Sequence, residues 1–333
     1  MPGVHRIPLP LPGDALAAIN VYAIEDDRGL VLVDAGWNTP DSRRSLEKGL
    51  ASFGATVGDI HSLLITHLHR DHFGQATALG RATGAAVRLD RGEERSFRWL
   101  MRPPAPDEPR DILGMVRGGA EELFATDPDS LWPREIPDAD EPTWMKDEVR
   151  LVFPGHEIEV VRTPGHTWGH VCFLDRERGL LLAGDHVLPH ITPSIGVEAP
   201  QRRLSLGRFL RSLTAVRNLP VTGVLPAHGP VFTNLSARVD ELVDHHAARL
   251  EATHTAVSEG ARTGLEVARE LRWTRRAKRL EELDLFNKVL AVRESVAHLD
   301  HLVSRRRLTR ADKDGVALYE VRSPHPAQAR GQR

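Results

Sequence analysis

The stretch Ile65-Thr66-His67-Leu68-His69-Arg70-Asp71-His72-Phe73-Gly74 gathers three histidines and an aspartate between positions 67 and 72. It follows directly on Ser62-Leu63-Leu64-Ile65-Thr66, an apolar run that reads as a short buried strand. The cluster therefore belongs to the loop after a strand. Loops at strand ends collect on one rim of a sheet, where a rigid scaffold holds side chains convergent. Three more ligand-type residues follow the same rule: His170 in TPGHTWGH (163–170), Asp185 in LLAGDH (181–186) and His228 in LPAHGP (225–230). Imidazole and carboxylate together suit zinc and similar divalent ions, so the pattern points to a metal centre. Alternate side chains on one short loop diverge, so this loop can serve two adjacent ions, with an aspartate bridging them.

Working outward, INVYAIEDDRGLVLVDAG (19–36) reads as a hairpin around Asp26-Asp27-Arg28-Gly29. Residues 41–53 carry helical spacing in Leu46, Leu50 and Phe53, with Gly54 as the stop. GQATALGRATG reads as a helix and AAVRLD as a strand. Residues 93–147 break this rhythm with Pro103, Pro104, Pro106 and Pro109, and read as an insertion with a short helix around 111–124. Strand rhythm returns in VRLVF, IEVVRTPGHT, HVCFLD and GLLLAGD. A helix over 201–219 and a strand in VTGVLPAHGP follow. Beyond 235 the pattern changes to helices at 236–259, 263–272 and 284–306 and a hairpin around Asp314-Gly315. That order predicts a small winged-helix-like domain over 236–322 behind a catalytic domain over 1–235. The Pro/Gln/Arg-rich tail, 323–333, is expected to be disordered.

Composition narrows the setting. The chain has 333 residues, 41% hydrophobic and 27% charged, with a net charge of -2, which carries no strong pull toward nucleic acid or acidic membranes. Its single cysteine, Cys172, rules out an intramolecular disulfide and reads as a small buried residue. No apolar stretch approaches the roughly 20 residues of a spanning helix. The proline-rich start MPGVHRIPLPLPGD does not read as a signal peptide. A cytoplasmic enzyme without a membrane partner is expected.

THLHRDHFG resembles the His-x-His-x-Asp-His signature of the metallo-β-lactamase superfamily, and TPGHTWGH, AGDH and PAHG resemble its later motifs in the same order. The resemblance covers about residues 4–235. It implies an α/β fold, an αββα sandwich, with a dinuclear site at its rim. Carried over by position, His67, His69 and His170 would bind the first ion, Asp71, His72 and His228 the second, and Asp185 would bridge. The ions are expected to be zinc, with manganese or iron also suited to the set. Asp34 in VLVDAG resembles the superfamily's strand-end aspartate, which supports the metal loop. His186 is expected to support Asp185. His166 is read as a turn histidine bonded to backbone, with a pocket role as the alternative. His190 is either a substrate contact or a plain loop residue. Arg70, between the two pairs, is expected to face outward.

The reaction implied is hydrolysis: a hydroxide bridging the ions attacks a carbonyl, with Asp71 and Asp185 as catalytic carboxylates. Similarity to glyoxalase II-like proteins favours a thioester such as an acyl-CoA, with a lactone as the near alternative; the glutathione-pocket residues of those proteins have no match here. Two further readings stand beside it, a single-stranded RNA endonuclease and a mononuclear iron persulfide dioxygenase. Residues 236–333 hold 19 Lys and Arg against 15 Asp and Glu, with local runs RWTRRAKR and SRRR. A solvated helix face explains these better than a nucleic-acid surface, and a dimerisation or lid module is the preferred role, with a small acyl molecule as substrate. Trp99, Trp132 and Trp144 either line an acyl pocket or pack under the insertion.

Overall fold

The computed structural model describes residues 2–12, 16–101, 114–124, 139–198, 200 and 202–322. Two mixed sheets form its centre. The first runs in the order β1 (Val4–Pro10), β2 (Ala18–Asp26), β3 (Gly29–Val33), β4 (Ile60–Leu64), β5 (Ala86–Asp90), β6 (Thr143–Met145). The hairpin read from 19–36 is β2 and β3, paired antiparallel; β3 to β6 are mutually parallel. The second sheet has the order β11 (Gly223–Pro226), β10 (Leu180–Gly184), β9 (Val171–Asp175), β8 (His156–Arg162), β7 (Arg150–Phe153). Here β7 to β10 alternate antiparallel, and β10 and β11 are parallel.

The two sheets pack face to face. Tyr22, Ile24, Val31, Val33 and Leu64 from the first meet Ile158, Val160, Phe173, Leu182 and Leu225 from the second. Strands buried on both faces need unbroken apolar runs, and VCFLD and LLLAG are buried throughout. The outer face of the first sheet is covered by α1 (Pro40–Ala51) and α3 (Ala76–Thr83), through Leu46, Leu50 and Leu79. Thr39 caps α1 by accepting the Ser42 N–H at 3.2 Å, with Pro40 in the first turn. Between these helices the short α2 (Arg70–Phe73) carries the metal-type loop. The outer face of the second sheet is covered by α5 (Ser205–Val216), through Leu206, Phe209 and Leu213, and by the start of α6 (Leu235–Ser258). The layers are therefore helix, sheet, sheet, helix.

The expected insertion over 93–147 is shorter than the sequence pattern suggested. Residues 94–101 form α4 (Glu94–Met101), and 143–145 are the sixth strand of the first sheet. Three residues are too few for an alternation to register. Residues 114–120 form turns and Glu121–Phe124 a 3-10 turn in place of the longer helix expected there; 111–113, the prolines at 103–109 and Trp132 lie outside the described residues, as does the 323–333 tail.

The C-terminal elements are α6, α7 (Gly264–Glu270), α8 (Leu285–Ser304) and the hairpin β12 (Leu308–Lys313), β13 (Val316–Val321). Val289, Val292, Leu299, Leu265, Tyr319 and Met115 share a core there, so residues 114–124 belong to it too. The first half of α6 packs on the second sheet and its last turns enter this C-terminal core, so one helix serves both. Among the described residues no helix is long and apolar enough to cross a membrane.

Candidate metal centre

The carboxyl ends of the parallel strands β3 and β4 lie side by side, as do those of β10 and β11. Because β9 runs antiparallel to both β8 and β10, the β8–β9 loop reaches the rim where β10 ends. The two sheet rims are tied together: the Val171 N–H donates to the Thr66 carbonyl at 2.9 Å, and the Asn20 N–H to the Ala227 carbonyl at 2.6 Å. His67, His69, Asp71 and His72 after β4, His166 before β9, Asp185 after β10 and His228 after β11 meet at this rim.

Five imidazoles converge with their outer nitrogens already engaged. Asp34 organises one side. Its Oδ1 accepts the Thr66 N–H at 2.8 Å, and its Oδ2 accepts the His72 Nδ1–H at 2.8 Å. Asp34 holds a left-handed backbone, φ 60°, a conformation aspartate tolerates better than most residues. The Thr66 hydroxyl lies 3.0 Å from both Asp34 oxygens and so donates to that carboxylate, which leaves Thr66 Oγ1 to accept from His67 Nδ1 at 3.1 Å. His69 Nε2 donates to the Val197 carbonyl at 2.8 Å, His166 Nδ1 to the Ser194 carbonyl at 2.7 Å, and His228 Nδ1 to the Ala18 carbonyl at 3.1 Å. In neutral imidazole one nitrogen donates and the other accepts. The inner nitrogens of His67, His69 and His166 must then present lone pairs to one another, at 2.9 Å for His67 Nε2 to His69 Nδ1 and 3.0 Å for His166 Nε2 to His69 Nδ1. Burial, reinforced by the neighbouring imidazoles, holds His67 well below its usual pKa and His166 down at about 3, so these rings stay neutral.

The carboxylates stand between two groups. Asp185 Oδ2 is 3.5 Å from His166 Nε2, while its Oδ1 is 3.6 Å from His72 Nε2 and 3.4 Å from His228 Nε2. Asp71 Oδ2 lies 3.3 Å from His228 Nε2 and 3.6 Å from His72 Nε2. Among the described residues, ligand atoms close enough for one ion occur in three sets: His67, His69, His166; His67, His72, Asp185; and Asp71, His72, His228. His72 Nε2 and Asp185 Oδ1 are buried without a hydrogen-bond partner, and such orphaned atoms are costly unless something else satisfies them. Burial lowers the affinity of both rings for a proton, but Asp71, Asp34 and Asp185 outweigh it at His72, taking it to about 9, and Asp185 and Asp71 outweigh it at His228, taking it to about 10. Converging lone pairs on one side and anion-flanked imidazoles on the other suit divalent cations, which take the place of protons at such sites.

His170 does not take the place expected of it. Its Nδ1 faces the Thr163 hydroxyl at 2.8 Å, and its Nε2 accepts the Asp185 N–H at 3.1 Å. Both ring nitrogens are used inside the protein, and His166 occupies the third position beside His67 and His69. His170 instead holds the backbone of Asp185. Gly184, φ 50°, permits that contact: a Cβ there would lie 2.7 Å from His170 Nε2. His186 is buried in a T-shaped contact with Phe209, ring centroids 5.2 Å apart, and belongs to none of the three ligand sets. His190 is exposed. Arg70 is half-buried with its guanidinium 5.0 Å over Trp37, so it does not simply face outward. Trp144 packs against Phe97 and donates to Glu141 at 2.9 Å, which is packing under the first sheet. Cys172 is fully buried, as expected.

The model of the metallo-beta-lactamase superfamily matches residues 15–250. The chain belongs to that superfamily. Its two packed sheets flanked by helices are consistent with the fold of that superfamily. It is 26% identical over 326 residues to the "Probable metallo-hydrolase YqjP" of Bacillus subtilis (strain 168), covering 91% of this chain and 92% of that one. Among solved structures, a metallo-beta-lactamase family protein from Thermus thermophilus superimposes with a TM-score of 0.79 at 28% identity, covering 97% of this chain and 99% of that one. A beta-lactamase domain protein from Burkholderia ambifaria matches with the same TM-score, 0.79, at 27% identity, over 97% and 93%. Both alignments run through the C-terminal helices, so that unit is part of an architecture this chain shares with them.

Proposed function

We propose that this protein is a dinuclear metal-dependent hydrolase. The observation that carries the reading is the set of five imidazoles whose outer nitrogens are engaged by the protein and whose inner nitrogens face Asp71 and Asp185 or one another. In this reading His67, His69 and His166 would hold one ion, Asp71, His72 and His228 would hold the other, and Asp185, which lies beside both groups, would serve as their shared carboxylate. Two divalent cations so held, zinc in the first instance, would polarise a carbonyl and make water nucleophilic at neutral pH. The chain's own contribution is order. Asp34, Thr66, Ala18, Ser194 and Val197 fix ring planes and tautomers, and His170 fixes the Asp185 backbone. Burial alone would raise the Asp71 carboxyl, but His72 and His228 outweigh it and hold it well below the usual carboxylate range, so it stays an anion facing the centre.

The substrate class proposed is a small acyl compound, a thioester first and a lactone second, in keeping with the resemblance to glyoxalase II-like proteins. The C-terminal unit, 236–322, helices followed by a hairpin, is proposed as a winged-helix-like cover or dimer contact. The nuclease reading gains little support from that unit. Acids are interleaved with its basic residues and take up several of its arginines, Arg269 with Glu122 at 3.0 Å and Arg307 with Glu251 at 2.8 Å among them, which dilutes the positive field. The test is metal content of the purified chain followed by turnover of thioesters, lactones and single-stranded RNA after reloading with zinc, manganese or iron. Two ions per chain with metal-dependent acyl hydrolysis is the expected result. A single iron per chain with persulfide oxidation, or RNA cleavage alone, would displace the proposal.

A further inference from the structure

We infer that Arg293, on helix α8 of the C-terminal unit, is a positioning residue for the metal group His67, His69 and His166. The inference rests on the two-metal reading above. Arg293 is fully buried. Its Nε donates to the Gly196 carbonyl at 2.8 Å, and its Nη2 donates to that same carbonyl and to the Glu198 carbonyl at 3.3 Å. The carbonyl between these two, Val197, is the acceptor of His69 Nε2–H, and Ser194, two residues before Gly196, accepts His166 Nδ1–H. The loop is pressed against the helix as well: Gly196 has φ 87°, and a Cβ there would lie 3.4 Å from the Arg293 carbonyl oxygen and 3.7 Å from Ala297 Cβ.

The physical chain is short. A guanidinium is a planar, permanently charged fork, and its bonds to carbonyls are stronger and more directional than neutral ones. Holding the 196 and 198 carbonyls fixes the peptide planes on both sides of Val197. Val197 and Ser194 then set which nitrogen of His69 and of His166 keeps its lone pair and where each ring points. The other group is anchored elsewhere, His72 by Asp34 and His228 by Ala18. A clamp on residues 194–198 therefore acts on one ion and spares its neighbour. Such asymmetry is what separates positioning from general support of the fold.

The test uses the full-length chain and three forms: wild type, Arg293→Met and Arg293→Lys. The metal-free proteins are titrated with cobalt(II), following the visible absorption of the bound ion and the stoichiometry, and their melting temperatures are measured in parallel. In Arg293→Met, affinity at one of two sites is expected to fall about 10–100-fold, the usual cost of losing an outer partner of a ligand, with a changed spectrum for that ion and the second site unaltered. Arg293→Lys keeps the charge without the fork and is expected to fall between; it also decides the matter should the methionine variant fail to fold. Wild-type affinity at both sites in the lysine variant and, where it folds, the methionine variant, or an equal loss at both sites in step with melting temperature, would overturn the inference. A wild-type chain that binds no second ion would instead fail the two-metal reading, and Arg293 would then be judged by whether its variants weaken the single site.

Discussion

Two histidines four residues apart in TPGHTWGH give the sharpest test of the site. His166→Ala removes an inner lone pair from the group with His67 and His69. His170→Ala removes a ring whose two nitrogens serve Thr163 and the Asp185 N–H. The consequences should separate cleanly. In the metal-free chain His166 Nε2 stands 3.0 Å from another unprotonated nitrogen, so losing it costs little beyond its bond to Ser194. With metal present it should cost one ion per chain at micromolar free metal. His170→Ala leaves the buried Asp185 N–H without its partner, at about 1–3 kcal/mol, while the Thr163 hydroxyl keeps the residue-170 carbonyl at 3.4 Å. At about 2–4 °C per kcal/mol for a domain of this size, a fall in melting temperature of roughly 2–12 °C follows for the metal-free protein. Its metal stoichiometry should stay at two, with affinity lowered about 10–100-fold because Asp185 is less well held. The assays are metal analysis after gel filtration and thermal unfolding after chelation. If His170→Ala loses an ion outright while His166→Ala retains both at wild-type affinity, the placement of these two residues is wrong.

Asp185→Asn should reduce occupancy of both ions and activity together, since a neutral amide cannot serve two cations; two tightly held ions and full turnover would refute bridging. Asp34→Asn tolerates the left-handed backbone but gives up charge and turns an amide toward either Thr66 or the His72 Nδ1–H, so affinity at the Asp71, His72, His228 group should drop about 10–100-fold, and an unchanged titration would show that Asp34 does not orient His72. Glu93 is buried against Thr167 and the Gly169 N–H, and burial together with Glu198 pushes its carboxyl up to about 8. Below its ordinary value of 4.5 both folded and unfolded chains hold that proton; between 4.5 and about 8 only the folded chain does, so rising pH lowers stability by up to about 1.4 kcal/mol per unit. Glu93→Gln keeps the acceptor and lacks the titration, so its melting temperature relative to wild type should climb from pH 5 to 8, and a gap that stays flat would rule the mechanism out.

Much of this arrangement could be read from residue order because the physics is local. A buried strand needs an unbroken apolar run, and a metal-type residue directly after such a run must lie at a sheet rim; His67, Asp185 and His228 all follow that rule. β6 escaped notice because three residues carry too little pattern. Arg293 escaped because a lone arginine in the apolar helix LFNKVLAVRESVAHL looks like a surface charge, and the loop it holds is almost a hundred residues away in sequence.

The choice between His166 and His170 is more instructive, since the clue was present. Pro164-Gly165 marks a turn, and the turn is tight: Gly165, φ 149°, leaves no room for a Cβ, which would meet the Phe209 backbone at 2.3 Å. The chain lies flat on α5 there and lifts away at the next residue, His166, whose ring reaches the rim. His170 instead immediately precedes VCFLD, a run buried on both faces, where β9 has already begun to pair through Val171 and Arg162. A side chain at that junction is held inside the layer by its neighbours, and its hydrogen bonds must be found within the protein. A ligand that has to reach a shared cavity belongs on the turn; the histidine at the strand's threshold is the one that steadies the carboxylate opposite.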